Sequence, residues 1–261
     1  MSIQLSLVIF TALVGTAGWL AVCIAISELS GKGKSARSLA AIATLVLAIV
    51  GGIASVTHLS HPDRLFGALG HPTSGIFIEA VLVGLLIVSV VVYLILLKRE
   101  SGAAKVLAII AAIIGLVGSY MTGNSYIMSS IPVWDTVTLP IAYSLTVAPA
   151  GVALYLVLLG IKKDQDAKLF GLFLAVVGIL GAIGAAAFLA PAGADALLTW
   201  GVCVVVGGII PAICGFLVFK GQSAMIMGAI ALACALVGCV ALRCLMWTTG
   251  ETLYSLFGTT I

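Results

Sequence analysis

The chain has 261 residues, 62% of them hydrophobic and only 8% charged, with a formal net charge of +3. Its mean hydropathy is +1.32. Soluble domains average roughly 45–50% apolar and about 25% charged residues, so this chain lacks the charge to cover a water-facing surface. Its surface faces the lipid bilayer, and so slight a positive charge gives no basis for binding nucleic acid.

A helix needs about 20 apolar residues to cross about 30 Å of hydrocarbon. Continuous apolar runs of that length fall at 3–26, 39–59, 75–97, 103–122, 138–160, 169–190, 197–219 and 223–247, with ionisable residues almost wholly in the gaps. A membrane β-barrel alternates apolar and polar residues in segments of about ten, whereas these runs are apolar on every side. The expected fold class is therefore all-α, a polytopic bundle of eight transmembrane helices. The 30 glycines suit close helix packing in lipid. The first run starts near Met1 without a basic leader or a small-residue cleavage site, and so reads as a retained helix. Neither a repeat nor a linker divides the sequence, so residues 1–261 read as a single integral-membrane domain.

The gaps alternate in charge. Lys32, Lys34 and Arg37 follow the first span; Lys98, Arg99 and Lys105 follow the third; Lys162, Lys163 and Lys168 follow the fifth; Lys220 follows the seventh. Short loops rich in Lys and Arg stay in the cytoplasm. The odd gaps are thus expected inside, with both termini and the even gaps outside.

The second gap and its flanks hold His58, His61 and His71, with Asp63, Arg64 and, about a turn into the third span, Glu79. Arg243 lies about a turn from the outer end of the eighth span. At 1.5 Å rise per residue, His58, Glu79 and Arg243 fall at similar depth on three different helices. An ionisable group at mid-bilayer costs about 2.5–3.5 kcal/mol on insertion scales, so such groups face protein or water and have partners. Glu79 and Arg243 could form a structural salt bridge. Alternatively, they wall a polar pocket in which histidine, titrating near 6.5, takes a proton from a hydroxyl.

Other chemistries fail on spacing. Haem between helices needs axial ligands, usually histidines, from facing spans, but all three histidines cluster around one gap. Three histidines in one loop make a poor metal site. Cys23, Cys203, Cys214, Cys234, Cys239 and Cys244 lie within apolar spans without C-x-x-C spacing, so neither haem nor an iron–sulfur cluster is expected in this chain. They read as small core hydrophobes. Phosphate-binding, nucleophile-elbow and dinucleotide motifs are lacking in the sequence.

The stretch His58-Leu59-Ser60-His61-Pro62-Asp63-Arg64-Leu65-Phe66 resembles the His-Leu-Gly-x-Pro-x-Arg-x-Phe exit of the second helix in the dimethyl sulfoxide reductase anchor subunit (DmsC) family. Ser74 to Glu79 is similar to its Ser-x-x-x-x-Glu, and Tyr126, Pro132 and Trp134 to its Tyr-x-x-x-x-x-Pro-x-Trp; Pro140 and Leu145-Thr146 extend that match. Arg243 to Trp247 resembles its final Arg-x-x-x-aromatic. Order, spacing and the eight-span layout agree along the whole chain. Ser60 departs from the usual glycine, His61 is an added basic group, Phe77 stands where serine is common, and Met246-Trp247 replaces Phe-Tyr.

The resemblance implies an anchor in the cytoplasmic (inner) membrane of a prokaryote that oxidises menaquinol to menaquinone. Electrons would pass to a four-cluster iron–sulfur subunit and then to a molybdopterin catalytic subunit, both on the extracytoplasmic side, with protons released outside. By this resemblance His58 accepts the quinol proton, Glu79 and Arg243 shape or relay within the pocket, and Arg64 and Tyr126 bind the quinol. Two other readings stand beside it. One is a purely structural docking anchor; the other is a small-solute transporter, for which Pro149, Pro211 and Gly207-Gly208 are candidate helix breaks.

Overall fold

The computed structural model describes residues 3–57, 71 and 73–250. Among these residues all regular structure is helical, and eight helices are long and apolar enough to cross a membrane. They are α1 (Leu5–Ser30), α2 (Arg37–Val56), α3 (Gly75–Lys98), α4 (Ala103–Asn124), α5 (Thr138–Ile161), α6 (Ala167–Leu189), α7 (Leu197–Phe219) and α8 (Ala224–Thr249). The protein is a multi-pass membrane bundle, and the spans fall where the apolar runs place them. The first half of α7, Leu197–Ile209, is wound as a wide π-helix before it tightens into an α-helix at Ile210. Pro211, with no N–H to give to a preceding carbonyl, sits at that change of pitch.

The start of α2 departs from the sequence reading. Spacing places Arg37 in a loop, yet it opens α2, preceded by the 3-10 turn Lys34–Ala36. Its guanidinium pairs with Glu28 at 3.0 Å, and both side chains are only 10% exposed. Arg37 Nε also donates to Ser27 Oγ at 2.8 Å, and the Tyr93 hydroxyl donates to Glu28 Oε1 at 2.8 Å. Helices α1 and α2 can therefore each carry one of these charges, because each is paired and hydrogen-bonded on leaving water. Gly31 and Gly33, at φ of 70° and 65°, turn the chain between them, and the Tyr155 hydroxyl donates to the Gly33 carbonyl at 2.9 Å. This sealed cluster lies at the far end of the bundle, opposite the end where α1 begins and α8 stops.

Helices α1–α4 and α5–α8 form two antiparallel four-helix halves joined along α1 and α5, which run parallel and are largely buried. Trp19 Nε1 donates across this seam to the Ser144 carbonyl at 2.9 Å. Helices in lipid gain little from hydrophobic exclusion and associate through close packing. At the α1–α4 crossing a Cβ on Gly18 would stand 2.4 Å from the Gly115 carbonyl oxygen, and at the α7–α8 crossing a Cβ on Gly238 would stand 2.2 Å from Gly207 Cα. No side chain fits at either place without pushing backbones apart. Gly115→Leu is therefore expected to cost about 1–3 kcal/mol or more by overpacking, lowering the unfolding midpoint of the detergent-purified protein. A midpoint equal to wild type would contradict this crossing.

Candidate functional site

Arg243 sits on α8 near the end of the bundle where α1 begins, and it is 0% exposed. Its Nε donates to Thr11 Oγ1 at 2.8 Å, and its terminal nitrogens donate to the carbonyls of Cys239 (3.0 Å), Tyr143 (3.3 Å) and Thr11 (3.5 Å). The guanidinium carbon stacks 4.4 Å from the centre of the Tyr143 ring. The ion pairs among the described residues are Lys32–Asp166 and Arg37–Glu28. The salt bridge between Glu79 and Arg243 considered above is thus not formed. The cation is held by neutral oxygens of α1, α5 and α8 and by one aromatic face, an environment that suits the flat, weakly hydrated guanidinium better than an ammonium.

Glu79 lies half-buried on α3, one turn after Gly75. The helix starts there because Ser74 caps it, its Oγ accepting from Phe77 N at 3.3 Å. Gly75 leaves room for α4: a Cβ on it would stand 2.7 Å from Ser125 Oγ. The Ser125 hydroxyl in turn donates to the Met121 carbonyl at 3.1 Å. Glu79 faces a cavity of about 260 Å³ between α1, α2 and α3, walled by Phe10, Gly52, Ser55, Val56, Ile76 and Val83 among others. Among the described residues, Glu79 is the one ionisable residue in that lining. The volume is slightly below the roughly 300–1,000 Å³ of typical ligand clefts.

Tyr126, next to Ser125, joins this cavity region to Arg243. Its ring lies 5.6 Å from Tyr143, 5.7 Å from Trp247 and 6.0 Å from Trp134. Burial raises the pKa of its phenol; the Glu79 charge adds to the rise and Arg243 opposes it, so both charged groups act on this one ring. Trp134 Nε1 donates to the Met246 carbonyl at 3.0 Å, and the Tyr143 hydroxyl donates to Met246 Sδ at 3.1 Å. The α4–α5 loop is thereby fastened over the end of α8.

Of the residues singled out by sequence, the structure brings Glu79, Tyr126 and Arg243 to one end of the bundle. His58, His61, Asp63 and Arg64 lie outside the described residues; His58 follows the cavity residue Val56 by two positions in the chain. His71 is exposed. Thr11, Ser125 and Tyr143 escaped the sequence reading. Their one signal is a polar group within or beside an apolar run, which many membrane helices carry without consequence.

A family model for the DMSO reductase anchor subunit (DmsC) matches residues 1–198. The chain belongs to that family. The C subunit of the anaerobic dimethyl sulfoxide reductase of Haemophilus influenzae is similar, with 28% identity over 173 residues. The match covers 64% of this chain and 62% of that protein, so it spans less than two thirds of the relative's length. Glu79 and Tyr126 lie inside the family match; Arg243 and Trp247, on α8, lie past its end.

The setting of Arg243 makes a direct prediction. Arg243→Met removes the bonds from the cation to the Thr11 hydroxyl and the Tyr143 carbonyl, at about 1.5–3 kcal/mol for a hydrogen bond to a charged group, while Thr11 Oγ1 keeps its own donation to the Leu7 carbonyl at 2.9 Å. Arg243→Lys, with one ammonium in place of a planar fork, recovers only part of that loss. The unfolding midpoints in detergent should fall in the order wild type, Lys, Met; a Met variant as stable as wild type would refute the role of these bonds.

Proposed function

We propose that this chain is the quinol-oxidising anchor of a dimethyl sulfoxide reductase-like molybdoenzyme complex, with menaquinol bound beside Glu79. The observation that carries this reading is a mostly apolar cavity between α1, α2 and α3 in which, among the described residues, Glu79 supplies the one carboxyl group of the wall. Glu79 and Arg243 both act electrostatically on the Tyr126 phenol at the same end of the bundle. Such a cavity suits an apolar ring whose two hydroxyl groups lose protons, since few and well-placed polar groups set orientation in ligand clefts.

In this proposal His58 takes the hydroxyl proton, and Glu79 fixes the imidazole tautomer and raises its basicity. Arg243 favours negative charge as it develops on the quinol oxygen, while Arg64 and Tyr126 hold the head group. Oxidation of one quinol to quinone releases two electrons and two protons. The electrons pass to the iron–sulfur subunit and on to the molybdopterin subunit, and the protons leave on the outer side. The basic residues Lys32, Lys34, Lys98, Arg99, Lys105, Lys162, Lys163, Lys168 and Lys220 all belong to loops or helix ends at the far end of the bundle. By the positive-inside rule that end faces the cytoplasm of a prokaryotic inner membrane, and both termini and the partner subunits lie outside.

A purely structural docking anchor draws support from Arg243, whose bonds are met within the chain. The two readings separate in the assembled complex. His58→Ala and Glu79→Gln should each cut electron transfer from a soluble menaquinol analogue by about 10²-fold or more, the scale of a lost general base. A reduced viologen dye feeding the partner subunits directly should still be oxidised at the wild-type rate. Undiminished quinol oxidation in both variants would leave only the docking role.

A further inference from the structure

Trp247 lies on the last turn of α8 and is 9% exposed, and its indole nitrogen is buried with no hydrogen-bond partner among the described residues. The other buried indoles are satisfied: Trp19 donates to the Ser144 carbonyl and Trp134 to the Met246 carbonyl. The Trp247 ring is firmly seated, edge-on to Trp134 at 5.3 Å and 88° and to Tyr126 at 5.7 Å and 81°. Packing of that kind needs only an aromatic ring, and a phenylalanine would supply it without burying an unmatched N–H. An indole nitrogen donates and cannot accept. The group therefore takes its acceptor oxygen from outside the described residues, in a corner shared with Tyr126, the phenol on which both Glu79 and Arg243 act.

We infer that Trp247 donates a hydrogen bond from Nε1 to a ring oxygen of the bound quinone head group. The inference rests on the proposed quinol site and deepens it by assigning the opposite end of the head group. The carboxyl side of the site accepts protons from hydroxyl groups; the indole side offers a donor to an oxygen that has lost its proton. A carbonyl oxygen of the quinone only accepts, so a donor-only group complements the oxidised ring more closely than the quinol. Trp247 is in this way a specificity residue, favouring the product form of the head group. It takes part in binding and transfers neither proton nor electron.

The test uses the purified complex and a short-tailed menaquinone, titrated by fluorescence quenching. Trp247→Phe keeps the edge-on ring and removes the donor, and should raise the Kd for this quinone about tenfold, the value of one hydrogen bond. KM for the corresponding quinol should change less. In the wild-type complex, addition of the quinone should also shift the ultraviolet resonance Raman band that reports indole N–H hydrogen bonding, and Trp247→Phe should abolish that shift. The wild-type shift is read without any variant, and Trp247→Phe assigns it once the variant complex is shown to bind quinone. An unchanged Kd, or no band shift at saturating quinone, would overturn the assignment of Trp247. If Glu79→Gln still abolishes quinone binding in that case, the site itself stands. No saturable binding to the wild-type complex would defeat both.

Discussion

A guanidinium enclosed by apolar helices, with no carboxylate paired to it among the described residues, is the constraint on which the rest of this structure turns. Removing such a charge from water is tolerable only if its N–H groups find acceptors inside the protein. For Arg243 those acceptors come from α1, α5 and its own helix. Meeting them fixes the end of α8 against the seam between the two four-helix halves. Tyr143, stacked on the guanidinium, then carries Tyr126, and Tyr126 with Trp134 and Trp247 closes an aromatic box over that end. This aromatic box stands at the same end of the bundle as the Glu79 cavity.

The two ends of the bundle handle charge in opposite ways. At the far end Glu28 and Arg37 neutralise each other at 3.0 Å, with Tyr93 and Ser27 satisfying their remaining groups. This arrangement clamps the α1–α2 turn. At the other end the carboxyl group and the guanidinium are held apart, the first on a cavity and the second among backbone oxygens. A guanidinium not paired with a carboxylate keeps an electric field around it, whereas paired charges largely cancel theirs. A reaction that loses protons and develops negative charge on oxygen has use for such a field.

Much of this was legible in the sequence for a simple physical reason. In a chain with 8% charged residues, each ionisable group inside an apolar run stands out, and that rarity alone picks Glu79 and Arg243. The spans were legible because lipid demands length and apolarity together. Arg37 was misread because a basic residue a few positions after a span looks like loop, and only its proximity to Glu28 shows that the helix begins with it. The choice between a salt bridge and separate settings for Glu79 and Arg243 could not be read either. The acceptors of Arg243 are mostly main-chain carbonyls, which every residue has and no sequence marks. The role of Gly75 in admitting Ser125 was likewise invisible among 30 glycines. His58 and Arg64 lie outside the described residues, so their roles rest on the resemblance of their stretch to the family and on the place of His58 just after Val56.

The most direct measurement is of where the ring of the quinone rests. A photoreactive naphthoquinone, crosslinked to the intact complex and mapped by peptide mass spectrometry, should mark the cavity walls of α2 and α3 around residues 52–56 and 76–83. Excess menaquinone should compete the label away. Competable label on the far-end loops or wholly on a partner subunit, with none on these two helices, would contradict the account.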